Sequence, residues 1–61
     1  MFTIILYVQL CINGNCDNYE PSSWSVQSQQ EIDNAWDECS KQERKWMKVE
    51  GYKESDCYIA E

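Results

Sequence analysis

Sixty-one residues limit this chain to one small domain, and a chain of that length buries only about 60% of the surface it exposes when unfolded, so covalent staples carry weight. Apolar residues are 43% and aromatics 13% of the sequence, which argues against intrinsic disorder despite a net charge of −6. Eleven acids against five bases, with no histidine, argue against a general binder of nucleic acid or anionic membranes and favour a basic protein surface as partner.

The run from Phe2 to Ile12 lacks a basic segment before it and a small-residue cleavage site after it, so it reads as a strand and not as a secretion signal. It is also too short to cross a bilayer. At period two, Phe2, Ile4, Leu6, Val8, Leu10 and Ile12 share one strongly apolar face, and Thr3, Ile5, Tyr7, Gln9 and Cys11 share the other. Asn13-Gly14 then supplies the two left-handed positions of a type I′ turn, which sets Ile12 opposite Asn15 and Cys11 opposite Cys16. The rung holding the two cysteines is a non-hydrogen-bonded one, where side chains approach most closely. The second strand, roughly residues 16–26, is an edge strand: Asp17, Asn18 and Glu20 are weak strand formers, and Pro21 cannot donate to a ladder and predicts a bulge near it.

Ser28-Gln29-Gln30-Glu31 is a capping box, and Gly51 is a natural stop, so a helix is expected over residues 28–50. Acids early (Glu31, Asp33, Asp37, Glu38) and bases late (Lys41, Arg44, Lys45, Lys48) complement its dipole. Ile32, Ala35, Trp36, Cys39, Trp46 and Met47 gather on one side and the four bases on the reverse. Residues 56–60 read as a third strand, with Cys57 and Ile59 pointing one way and Tyr58 the other. The expected fold is therefore α+β, ββαβ, a three-stranded antiparallel sheet in order 2-1-3 with one long helix on one face, forming a single domain over residues 1–61 with its hairpin at 2–26.

Strand parity puts Cys39 and Cys57 beneath the helix, and Cys11 and Cys16 on the opposite sheet face, which favours disulfides 11/16 and 39/57 if the chain is oxidised. In a reducing cytosol the alternative is four free thiols, with Cys39 and Cys57 as small core residues. A four-thiolate zinc module is a further alternative, although the spacing lacks the two tight knuckles of such sites. No cofactor is implied. With no histidine, no phosphate-binding glycine loop and no serine or cysteine beside an evident base, catalysis is not expected.

Glu43 interrupts the apolar stripe, where a buried unpaired carboxylate would be costly. Either the helix overshoots the sheet and Glu43 reaches water, or Trp36, Trp46 and Met47 frame an exposed patch with Glu43 as its polar contact, a composition typical of interface centres. Such a patch would also serve a homodimer. The second candidate surface is an acidic sheet edge carrying Asp17, Glu20, Glu54 and Asp56, complementary to a basic partner such as a nucleic-acid enzyme's binding groove.

The segment Phe2-Thr3-Ile4-Ile5-Leu6-Tyr7-Val8, the helical Cys39 and the closing Asp56-Cys57-Tyr58 resemble a family of very short uncharacterised proteins from lambdoid phages and prophages, across nearly the whole chain. The Cys11/Cys16 pair and the longer, more charged helix depart from that pattern. The resemblance implies no catalytic residues; it implies a small accessory protein that binds and modulates one host protein. The lack of a secretion signal favours the host cytoplasm, and formation of both disulfides would instead favour an oxidising compartment. The contrasting expectation is a secreted or periplasmic disulfide-stapled binding or toxin-like protein.

Overall fold

A tight turn sets the register of the sheet. In the computed structural model, which describes residues 1–61, Asn13 and Gly14 both adopt positive φ, 54° and 83°, as the type I′ geometry demands. They join strand β1 (Phe2–Ile12) to strand β2 (Asn15–Val26), with Ile12 opposite Asn15 and Cys11 opposite Cys16. The register slips between Leu6 and Val8, where Tyr7 faces the two residues Glu20 and Pro21. The bulge falls where a proline without an N–H would otherwise leave a gap in the ladder.

Ser28 caps helix α1 (Gln29–Trp46), its hydroxyl accepting from the Glu31 amide at 3.3 Å. The Glu31 carboxylate reaches back in turn, one residue beyond the N-cap amide of a standard capping box, accepting from the Ser28 hydroxyl and the Gln27 amide. The helix ends four residues earlier than the capping and glycine signals suggested. Successive turn bonds, Lys48 N to Lys45 O, Val49 N to Trp46 O and Tyr52 N to Val49 O, curl the chain back toward the sheet. Gly51 serves that return and not the helix terminus: at φ 91° its carbonyl accepts from the Cys11 amide at 2.7 Å. Strand β3 (Tyr52–Ala60) consequently starts four residues before the expected position, because Lys53 and Glu54, weak strand formers by propensity, are drawn into the ladder beside β1. A second bulge between Gln9 and Leu10 absorbs Lys53.

β3 pairs antiparallel with β1, giving the order β2-β1-β3 and one helix on one face, the α+β architecture expected. Ile4, Leu6 and Val8 on β1, Val26 on β2, and Ala35 and Cys39 on α1 are the buried core. Leu10, Trp24, Ile32, Trp36, Trp46, Tyr52 and Cys57 close around it. At about 3.3 Å per residue, the 11 residues of β1 outreach the 18 residues of α1 at about 1.5 Å each. The hairpin tip therefore projects beyond the helix, with Ile12 58% exposed.

Candidate functional site

Because α1 covers only one side of the sheet, the other side is open. Alternation along β1 puts Thr3, Ile5, Tyr7, Gln9 and Cys11 there. Cross-strand pairing adds Glu54, Asp56 and Tyr58, which stand opposite Gln9, Tyr7 and Ile5 on β3. On β2, Asn18 stands opposite Gln9. Tyr7 donates to Asn18 Oδ1 at 2.9 Å, and Tyr58 donates to Glu20 Oε2 at 2.6 Å, reaching across β1 from one edge strand to the other. Those bonds hold both rings down on the face. The Tyr58 phenol is held above its ordinary pKa, chiefly by the bond to Glu20, with lost hydration and the carboxylate's charge adding to it.

The four acids expected to share one sheet edge do not. With β1 in the middle, Asp17 and Glu20 lie on one edge strand and Glu54 and Asp56 on the opposite one. Asp17 also stands opposite Leu10 and therefore belongs to the helix side. What the fold brings together is Glu20, Glu54 and Asp56 around Ile5, Tyr7 and Tyr58 on the open face. The bases Lys41, Arg44, Lys45 and Lys48 are carried by α1 and the turn after it, on the other side of the sheet. Lys41 is itself engaged, 3.1 Å from Asp37 and 3.8 Å from Glu38, and its ammonium pKa is raised, first by the hydrogen bond to Asp37.

The edge of β3 is guarded. Ladder alternation from the Cys11 N to Gly51 O bond turns the backbone of Ser55, Cys57 and Ile59 outward. The Cys57 amide is then taken up by the neighbouring Asp56 carboxylate at 2.9 Å, which blocks the middle of that edge against an added strand.

Trp36 and Trp46 are half-buried and pack against the core, whereas Met47 and Val49 in the turn after the helix are exposed, 53% and 40%. Glu43 is tied to the sheet. It is half-buried, and its Oε2 accepts from Ser55 Oγ at 2.7 Å, with Tyr52 OH 2.8 Å from the same hydroxyl. Gln42 is its counterpart on the other flank, accepting from Ser22 Oγ at 2.6 Å. The inward-facing Ser22 and Ser55, opposite Leu6 and Val8, were the sequence signal for these partners.

The sulfurs form two bridges, Cys11–Cys16 on the open face and Cys39–Cys57 beneath the helix. The sheet separates the two pairs, so the four do not assemble around one ion as a zinc module requires, and no group of three or more His, Cys, Asp or Glu side chains converges. The helix is not long and apolar enough to cross a membrane. No protein-family model, no curated protein and no solved structure matches the chain.

Proposed function

We propose that this chain is a non-enzymatic binding module whose open sheet face docks on a basic surface of a protein partner. The observation that carries the reading is the composition of that face: Ile5, Tyr7 and Tyr58 at its centre, Glu20, Glu54 and Asp56 around them, and the helical bases on the opposite side. Tyrosines pinned by hydrogen bonds offer contact area with little entropy left to lose, and a surrounding ring of one charge steers an oppositely charged surface toward them. Ser55 is the hydroxyl seated on a half-buried carboxylate, and its bonds to Glu43 and Tyr52 suit a strut between helix and sheet, not a nucleophile. The biological setting proposed is that of a phage-encoded accessory protein that modulates a host protein.

The test is capture from host lysate by the oxidised protein, followed by identification of what is retained and a repeat with Glu20→Gln/Glu54→Gln/Asp56→Asn. One protein with a basic surface should be retained, its capture should weaken as salt rises, and the triple variant should lose about tenfold or more in affinity. Capture unchanged by the triple variant and by salt would reject this face.

A second reading is favoured by the two disulfides and the absence of any free cysteine: a secreted or periplasmic stapled binding protein. Counting free thiols on protein taken from its native compartment separates the two settings. Two intact bridges support the oxidising one, and four titratable thiols support the cytoplasm.

A further inference from the structure

Beside the β2 edge, where the first half of α1 lies over the strand, the surface opens into a cleft of about 200 Å³. Its floor is Trp24, Val26 and Ala35, and its rim is Glu31, Asn34 and Glu38. Val26 and Ala35 are buried, 2% and 4% exposed, so the floor is apolar and firmly packed. The three rim residues recur at helical spacing and stand one above another along one face of α1. The volume falls below the roughly 300–1,000 Å³ of sites for small-molecule ligands and cofactors, which leaves room for one long side chain.

Both carboxylates are only half engaged. Glu31 uses Oε1 for the capping box, accepting from the Gln27 amide at 3.2 Å and the Ser28 hydroxyl at 3.3 Å, which leaves Oε2 free. Glu38 Oε1 stands 3.8 Å from Lys41 Nζ, an ammonium held closer to Asp37, at 3.1 Å, and its Oε2 is free. An apolar slot with an indole in its floor and two under-used carboxylates on its rim favours a group that is flat, cationic and carried on an aliphatic stem.

We propose that this cleft binds a guanidinium group, the arginine side chain of a protein partner. The stem lies along Val26 and Ala35, the guanidinium plane stacks on Trp24, and its forked N–H donors reach Glu38 and the Asn34 side-chain oxygen, while Glu31, about 10 Å away along the helix, adds negative charge at the other end of the slot. A lysine ammonium supplies the charge but neither the plane nor the fork. The site lies on the helix side of the sheet and does not depend on the open face, so a small ligand tests it without any partner.

The experiment is titration of the isotope-labelled, fully oxidised protein with N-acetyl-arginine amide, followed by amide and indole NMR. Saturable shifts should centre on the Trp24 indole N–H and the Val26 and Ala35 amides. Glu31→Gln/Glu38→Gln, which keeps side-chain size and the capping box, should weaken binding by about fivefold or more, while Glu50→Gln/Glu61→Gln, with the same charge removed elsewhere, should not. N-acetyl-lysine amide should bind distinctly more weakly. The inference is overturned if no saturable shift occurs, if the shifts centre on Ile5 and Tyr58, if the lysine ligand binds as tightly, or if the two double variants behave alike.

Discussion

Glu43 and Tyr58 are two acidic groups whose different settings give different experimental signatures. Glu43 is half-buried between α1 and β3 and takes its hydrogen bond from Ser55. Its truncation leaves the Ser55 and Tyr52 hydroxyls to each other and removes a bond to a charged group. Glu43→Ala should therefore cost about 1.5–3 kcal/mol by urea denaturation, against less than about 0.5 kcal/mol for the exposed Met47→Ala. Equal costs would show that Glu43 does not brace the helix. Tyr58 lies at the surface, and its phenol holds its proton more tightly in the folded chain than in the unfolded one because it donates to Glu20. The contact's contribution is then complete below the unfolded phenol's pKa of about 10 and is lost as pH rises through the higher folded value. In an NMR titration the Tyr58 midpoint should fall on Glu20→Gln, and the stability advantage of the wild type over that variant should shrink above about pH 10. A midpoint indifferent to Glu20 would refute the cross-strand bond.

Gly51 links the end of the helix to the sheet through backbone contact alone. A Cβ there would lie 2.9 Å from the Cys11 carbonyl oxygen and 3.1 Å from Ile12 Cγ1, at a φ of 91° that side chains resist. Gly14, at φ 83°, has open space around it. Gly51→Ala should accordingly destabilise by about 2–3 kcal/mol and Gly14→Ala by about 1 kcal/mol, read from chemical denaturation midpoints. Similar losses would mean that the close approach to Cys11 is relieved at little cost. This pair also shows what the sequence discloses. Asn13-Gly14 announces its turn because the geometry is local, and the Ser28 capping box and the alternation of Ile4, Leu6 and Val8 are equally local. The role of Gly51 is not local, since it depends on the Cys11 amide 40 positions earlier, and so the glycine reads as an ordinary helix stop. Lys53 and Glu54 read as loop for the same reason, their strand conformation coming from β1 and not from propensity. The open tyrosine face emerges only after pairing fixes which residues of β3 accompany those of β1.

Six buried residues out of 61 make a core too thin to hold a helix on a sheet by apolar burial alone, in a molecule 42 Å long and 12 Å deep. The two disulfides act on that problem unequally. Cys39–Cys57 ties the middle of α1 to β3 across the core, with Cys39 fully buried, and a loop of about 19 residues closed in the unfolded chain corresponds to about 3 kcal/mol. Cys11–Cys16 spans six residues beside a turn that Asn13 and Gly14 already favour, so the unfolded chain loses less freedom to it, about 2 kcal/mol at most. Cys39→Ala/Cys57→Ala also leaves space in the core, whereas Cys11→Ala/Cys16→Ala alters only the hairpin tip. At about 4–8 °C per kcal/mol for a domain this small, the first double variant should lower Tm by roughly 12 °C or more and the second by clearly less. The first should also loosen the bracing contacts at Gln42 and Glu43, seen as faster amide exchange along the second half of α1, while exchange in β1 and β2 changes little. Equal Tm losses, or protection lost first in the hairpin, would show that the helix is held by its packing and not by the buried bridge.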